Sequence, residues 1–117
     1  MRRVVVETPF AGGFWRRWRN RVYARRCLRD SCMRGEAPLA SHLLYPQFLD
    51  DGDPDERKMG IECGLAWGQL ADATVVYVDR GISRGMALGI ERAEALCRPI
   101  DYRHLPSAWP AWIRRRC

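Results

Sequence analysis

Apolar residues follow two kinds of pattern along the chain. Three consecutive valines predict a strand over Arg3 to Glu7, of the type that is covered on both faces of a sheet. A similar β-branched run predicts a strand over Thr74 to Asp79. From Phe14 to Met33, apolar residues recur near helical spacing with arginines between them, which predicts an amphipathic helix.

Capping residues mark the starts of two further helices. Asp53 can cap a helix whose first position is Pro54, and Glu56 completes a capping box. This helix is predicted to run to about Ala71 and to bury Met59, Cys63, Ala66, Trp67 and Leu70. Ser83 is predicted to cap a helix that runs from Gly85 to Cys97.

Two weaker segments complete an alternation of strands and helices. They predict short strands over Leu39 to Tyr45 and over Pro99 to Arg103. Alternation implies right-handed crossovers, so the predicted fold is α/β, a small flavodoxin-like three-layer sandwich. Its parallel sheet has about four to five strands, with helices on both faces. Residues 1–104 form the predicted domain, and residues 105–117 form a basic tail that contains Trp109 and Trp112.

Charge is distributed unevenly along the chain. The formal net charge is +6, and eight arginines fall between Arg16 and Arg34 against the single acidic residue Asp30. Acidic residues gather instead between Asp50 and Glu62. This asymmetry fits a protein that attracts an anion on one side, and it fits equally well a helix with a solvated basic face.

Composition excludes several classes of protein. Uncharged runs such as Cys63 to Ala71 are all far shorter than the roughly 20 apolar residues of a membrane span. The charged start lacks the apolar stretch of a signal peptide, which predicts a cytoplasmic protein. The five cysteines are scattered without a CxxC pair, so we expect reduced thiols, no metal site and no cofactor.

Ligands of such folds bind at the carboxyl ends of the strands, near the switch in strand order. The loops predicted there span Thr8 to Gly13, Tyr45 to Asp53 and Asp79 to Gly85. The candidate ligand-binding residues in and around them are Thr8, Pro9, Phe10, Gly12, Arg26, Ser41, His42, Gln47, Asp79, Gly81, Ser83, Arg84, Gly85 and Met86.

Each group of candidates has its own chemistry. The helix start at Ser83 offers backbone N–H groups to a phosphate, and its alternative role is that of a helix cap alone. Phe10 can stack on a base or cover the edge of the core. The set Ser41, His42 and Gln47 suits a base edge or a ribose hydroxyl. Asp79 is the candidate catalytic base, with an ion pair as its alternative role.

Three sequence segments, Gly35 to His42, Gly60 to Trp67 and Val75 to Met86, resemble a small phage and bacterial family of unknown function (DUF7768/DUF4406-like). That family is similar to the nucleoside 2-deoxyribosyltransferase-like superfamily, whose enzymes cleave or transfer the N-glycosidic bond of deoxynucleosides or their monophosphates. The resemblance implies a flavodoxin-like fold and a nucleoside or nucleotide ligand. It also implies a homo-oligomer, because superfamily members often complete their pockets across a dimer interface.

The resemblance also implies two catalytic carboxylates, and this chain lacks both. The nucleophile position falls on Gly89 and the position of the assisting carboxylate on Gly64. Glu91 and Glu62 lie two residues away, but two residues rotate a side chain by roughly 200° around a helix. Either the chemistry uses other carboxylates, with Asp79, Asp50 and Asp51 as the nearest candidates at strand ends, or there is no glycosidic chemistry.

Three functions therefore compete. The first is a non-catalytic nucleotide-binding protein, phage-encoded, that sequesters or senses its ligand, and the glycines at both carboxylate positions favour it. The second is an N-glycosidase or deoxyribosyltransferase with displaced carboxylates. The third is a nucleic-acid-binding protein that uses the arginine-rich helix, and it ranks last because no recognised reading motif is present.

Overall fold

The computed structural model describes residues 1–106. Its elements are β1 (Arg2–Glu7), α1 (Phe14–Met33), β2 (Glu36–Leu39), α2 (Ser41–Leu44), a 3₁₀ turn (Tyr45–Gln47), α3 (Pro54–Gly68), β3 (Ala73–Tyr77), α4 (Arg84–Ala95) and β4 (Ile100–Arg103). The predicted strands at both valine-rich runs and the predicted helix from Phe14 to Met33 are confirmed. Most other boundaries differ from the predictions by one to three residues, as helix and strand ends commonly do.

The strands form one parallel four-stranded sheet in the order β2-β1-β3-β4. The chain moves from β1 to one neighbour, β2, and then crosses over β1 to its other neighbour, β3. This is the order of a flavodoxin-like α/β sandwich, so the predicted fold class is confirmed. The switch in direction places a crevice at the carboxyl ends of β1 and β3.

The two faces of the sheet differ in what covers them. Val4 and Val6 belong to the buried core cluster together with Tyr23 and Cys27 of α1. Alternate residues of a strand point to opposite faces, so Val5 and Glu7 lie on the second face. That face is covered by α3 and α4, which approach these two residues through glycines.

The strand predicted over Leu39 to Tyr45 is wrong. The second strand lies earlier, at Glu36–Leu39, and Ser41–Leu44 is a helical turn. The strand starts with a charged residue, Glu36, which is buried. Its burial is possible because its carboxylate accepts hydrogen bonds from Arg103 and Ser31. Pro38 is accommodated because β2 is an edge strand, where a missing N–H donor is tolerated.

The buried face predicted for α3 is also wrong. The helix ends at Gly68 rather than Ala71, and Met59, Ala66, Trp67 and Leu70 are exposed. Its contact face is a row of glycines at four-residue spacing. A Cβ added at Gly60 would meet Tyr45, one at Gly64 would meet Ser41, and one at Gly68 would contact Val5. The helix therefore packs closely through its backbone, and the larger side chains point away.

The end of the described chain packs onto the domain. Leu105 contacts the core cluster, and its backbone N–H donates to both carboxylate oxygens of Asp79 at 3.1 Å. The predicted tail aromatics Trp109 and Trp112 lie outside the described residues. Within residues 1–106, no helix has the length and apolar character needed to cross a membrane.

Candidate functional site

A cavity of about 630 Å³ opens at the carboxyl end of β1, on the face covered by α3 and α4. Its walls come from the end of β1 and the loop that follows it, from the segment of α2 and the 3₁₀ turn, from α3, and from the first half of α4. This is the crevice that the switch in strand order produces. A volume of this size is within the range of small-molecule sites.

Glu7 is the acidic group at the inner wall of the cavity. It is the last residue of β1 and is half-buried. Burial raises the pKa of its carboxyl group to about 7, and the nearby charges of Arg92 and Arg98 offset part of that rise. Within residues 1–106, its side chain has no hydrogen bond and no ion pair.

The carboxyl group of Glu7 lies directly against Gly89 of α4. A Cβ added at Gly89 would overlap that carboxyl group, with Oε2 only 2.8 Å away. Gly89 is itself buried and lines the cavity. The position onto which the resemblance maps a catalytic glutamate is thus occupied in space by a glutamate from a different element.

Gly64, the other glycine at a mapped carboxylate position, has no such substitute. A Cβ there would lie 2.7 Å from the Cβ of Ser41 and 2.8 Å from its hydroxyl oxygen. Ser41 therefore fills this space with a neutral hydroxyl group. Of these two glycines, only Gly89 lies next to a carboxyl group.

Thr8 and His42 form a polar pair beside Glu7. The Thr8 hydroxyl oxygen lies 2.7 Å from Nε2 of His42, and Thr8 is buried. Burial lowers the pKa of His42 to about 4, so the ring is neutral at pH 7. Phe10 packs edge-on against this ring with centroids 5.8 Å apart, and the guanidinium of Arg17 lies 5.3 Å from the Phe10 ring centroid.

The first turn of α4 forms another part of the cavity wall. Ser83 caps the helix by accepting a hydrogen bond from the Met86 N–H at 3.3 Å. First-turn N–H groups have no helical acceptor, so those of Arg84 and Gly85 are open to a ligand. A Cβ at Gly85 would have only the Ser83 hydroxyl within 4 Å, which shows open space beside this turn.

Charged residues of both signs line the cavity. The basic residues are Arg57, Arg84 and Arg92, and the acidic ones are Glu7, Asp51 and Glu56. Arg57 is paired with Asp51 at 4.0 Å, and its side chain is largely exposed. Arg84 stands at the N-terminus of α4, where the helix dipole adds to its attraction for an anion.

The structure brings half of the sequence-predicted residues together at the cavity. Those lining it are Thr8, Phe10, Ser41, His42, Ser83, Arg84 and Gly85. Those that do not line it are Pro9, Gly12, Arg26, Gln47, Asp79, Gly81 and Met86. Met86 is buried and places its sulfur 3.4 Å from the Ser83 nitrogen, while Gly12 and Gly81 adopt positive φ in their turns.

Asp79, the candidate catalytic base, is held by structural contacts away from the cavity wall. Its carboxylate accepts a hydrogen bond from the Tyr23 hydroxyl at 2.6 Å and from the Leu105 N–H. His104 lies 3.4 Å from the same carboxylate. Burial alone would raise the pKa of Asp79, but the hydrogen bonds from Tyr23 and Leu105 outweigh it and lower that pKa.

Glu7 and Arg92 are among the charged cavity residues that sequence reasoning missed, together with Glu56 and Arg57. Glu7 stands at the end of a valine run, which is a signal, because an acid that closes a buried strand has no place in an apolar core. Arg92 carries no such signal among the many arginines of the chain. Within residues 1–106, no cluster of three potential metal ligands is present.

Fold and cavity together define a flavodoxin-like α/β protein with a cavity at its strand ends. The family model described as a domain of unknown function, DUF7768, matches residues 2–103, and the chain belongs to this family. A search of curated proteins found no match.

Solved structures of similar fold include one described as a 2-deoxyribosyltransferase from the psychrotolerant bacterium Bacillus psychrosaccharolyticus. The TM-score is 0.64 and the sequence identity 16%, and the match covers 95% of this chain and 78% of that chain. At this identity the likeness shows the fold, in agreement with the resemblance to the nucleoside 2-deoxyribosyltransferase-like superfamily.

Proposed function

We propose that the cavity binds a nucleoside or nucleoside monophosphate. The observation that carries this proposal is the composition of two parts of its wall. One part is the N-terminus of α4 with Arg84, which suits a phosphate. The other part carries Glu7 and the pair of Thr8 and His42, which suit sugar hydroxyls and the edge of a base.

The arrangement assigns a part of the ligand to each part of the wall. The phosphate lies at the first turn of α4, where Arg84 and the open N–H groups offer charge-assisted hydrogen bonds. The sugar lies between that turn and Glu7. The base lies toward Phe10 and the neutral imidazole of His42, which provide one aromatic ring and one polar edge.

The test is incubation of the protein with a mixed pool of nucleosides, nucleoside monophosphates and cyclic nucleotides, followed by native mass spectrometry. We expect one bound ligand per chain. Arg84→Gln should weaken binding of the monophosphate about tenfold or more and change nucleoside binding little. Arg26→Gln is the matched control, because this arginine lies on α1 and does not line the cavity. Equal effects of the two substitutions, or no bound ligand in the pool, would refute the proposal.

A more severe change addresses the whole first turn of α4. The double variant Ser83→Ala, Gly85→Val removes the helix cap and fills the open space beside the turn. It should abolish binding of the monophosphate. Recovery of unaltered nucleotide from the denatured wild-type protein would indicate a protein that sequesters or senses its ligand.

Cleavage of an N-glycosidic bond is the second candidate function. One observation favours it, namely that the cavity contains a half-buried carboxyl group whose pKa is raised to about 7. Such perturbed acids concentrate at catalytic sites. Free base in the solution after incubation with the pool would distinguish this function from binding alone.

A further inference from the structure

A side chain at position 89 would meet the Glu7 carboxyl group where it now lies. Glu7 closes β1, whereas Gly89 lies in the second turn of α4, yet the Glu7 carboxyl group fills the volume that a Cβ at Gly89 would enter. The absence of a side chain at Gly89 allows this carboxyl group to lie there, and a larger residue would make it move aside.

The environment of Glu7 differs from that of a structural carboxylate. The buried carboxylate of Glu36 is bonded by Arg103 and Ser31, as a charge fixed in the core must be. Glu7 has no such partner within residues 1–106, and it borders an open cavity. A desolvated acid that bonds nothing in the fold is available to a bound molecule.

We propose that Glu7 is the catalytic carboxylate of this cavity and that it acts on the anomeric carbon of a bound nucleoside or nucleoside monophosphate. This inference rests on the proposed binding function. It assigns the catalytic acid to β1. Gly89 on α4, which has no side chain, leaves the space that the Glu7 carboxyl group occupies. The chemical class of substrate is an N-glycoside whose base is the leaving group.

The reaction balances with water as the only co-reactant. A carboxylate oxygen of Glu7 forms a bond to the anomeric carbon while the carbon–nitrogen bond breaks, and its electron pair leaves with the base, which takes a proton from solvent. A water oxygen then bonds to the anomeric carbon, and the bond to Glu7 breaks. The water proton returns to solvent, so the products are the free base and the free sugar or sugar phosphate.

The protonation of Glu7 sets the pH range of this step. Attack requires the ionised carboxylate, and a pKa of about 7 places half of the molecules in that form at neutral pH. The charged or titratable groups that share the cavity with Glu7 are His42, Tyr45, Asp51, Glu56, Arg57, Arg84 and Arg92, and the charge of Arg98 also acts on Glu7. The rate should rise as the pH rises from 6 to 8, because the carboxyl group of Glu7 ionises in that range. His42 is already neutral throughout it and so does not contribute to the rise.

The first experiment measures free base released from the nucleotide that binds best. Glu7→Gln should lower the rate about 100-fold or more and change the dissociation constant of the nucleotide less than about threefold. Glu91→Gln is the matched control on α4, because Glu91 is exposed and does not line the cavity. Equal rates for the Glu7→Gln variant and the wild type would overturn the inference.

The second experiment moves the acid to the other position of the pair. Gly89→Glu alone should lower the rate, because its side chain displaces the Glu7 carboxyl group from its present place. The double variant Glu7→Ala, Gly89→Glu should recover at least about a tenth of the wild-type rate. If circular dichroism shows that the double variant is folded and it binds the nucleotide but recovers no activity, the inference that a carboxyl group at either position serves the same step is contradicted.

A third measurement does not depend on how the double variant folds. Wild-type protein incubated with a nucleoside fluorinated at the 2-position of its sugar should gain the mass of the glycosyl group, on the peptide that contains Glu7. An adduct on another peptide would overturn the assignment. Nucleotide that binds without any release of base would refute the catalytic inference and leave the binding function intact, whereas absence of binding would refute both.

Discussion

Arg103 binds both carboxylate oxygens of Glu36, with Nη1 2.7 Å from Oε1 and Nη2 2.6 Å from Oε2. Both side chains are buried, with exposed fractions of 7% and 8%. The pair connects β4 with β2, the two edge strands of the sheet. The hydrogen bond from Arg103 is the main reason that the pKa of Glu36 is lowered to about 2, with a smaller contribution from Ser31.

Breaking this pair should be costly. Arg103→Met leaves the Glu36 charge buried without its main partner, and we expect the free energy of unfolding at pH 7 to fall by about 3–5 kcal/mol. Arg57→Met is the matched control, because the Arg57 pair with Asp51 is exposed and should contribute less than about 1 kcal/mol. Urea denaturation measures both values. Similar losses in the two variants would show that burial does not set the strength of the Glu36 pair.

Glu7 should make the protein less stable as the pH rises. Burial raises its pKa from the ordinary value of 4.5 to about 7, so between these pH values the folded state holds a proton that the unfolded state releases. The contribution of protonated Glu7 to the free energy of unfolding is fully present below about pH 4.5 and is lost as the pH rises through about 7. Glu7→Gln removes this penalty and should increase the free energy of unfolding by about 2–3 kcal/mol at pH 8. At pH 4 the variant and the wild type should differ little, and a gain of equal size at both pH values would contradict this account.

The pair of Thr8 and His42 should contribute measurably to stability. Thr8→Val preserves the shape of the side chain but leaves the buried imidazole Nε2 without its partner at 2.7 Å. We expect a loss of about 1–3 kcal/mol in the free energy of unfolding. Thr8→Ser keeps the hydroxyl group and should lose about 1 kcal/mol or less. A larger loss in the serine variant would assign the effect to the methyl group rather than to the hydrogen bond.

The fold was predictable because its signals are local. The valine runs of β1 and β3 identify the two central strands, and Asp53 and Ser83 cap their helices as expected, each accepting a first-turn N–H. Alternation of strands and helices then leaves few topologies for a short parallel sheet. The structure differs at β2, where long-range contacts of Glu36 decide which residues form the strand.

The site was predictable only in part, because its central contact joins distant positions. The loops at strand ends were identified by their place in the fold, and Ser83, His42 and Thr8 followed from that. The contact between Glu7 and Gly89 spans most of the chain, and no periodicity reports it. The glycine face of α3 was missed for a related reason, since a search for apolar side chains cannot detect packing by residues that have none.

Asp79 provides a test of whether the catalytic acid was assigned to the correct strand. Its carboxylate holds the Tyr23 hydroxyl and the Leu105 N–H, so Asp79→Asn should weaken both hydrogen bonds. We expect the free energy of unfolding to fall by about 1–3 kcal/mol. Tyr23→Phe should reproduce most of this loss, because it removes the same hydrogen bond from α1.

Nucleotide binding and base release per folded molecule should stay within about threefold of wild type in both variants, because neither Asp79 nor Tyr23 lines the cavity. Urea denaturation gives the stability, and the base-release assay is run at a temperature where all variants are folded. Loss of base release in Asp79→Asn but not in Tyr23→Phe would assign the chemistry to the end of β3. Base release that is retained in both variants and lost in Glu7→Gln would place the reactive carboxylate at the end of β1. The comparison separates the two acids because the Asp79 oxygens are bonded within the fold, whereas the Glu7 carboxyl group borders the cavity.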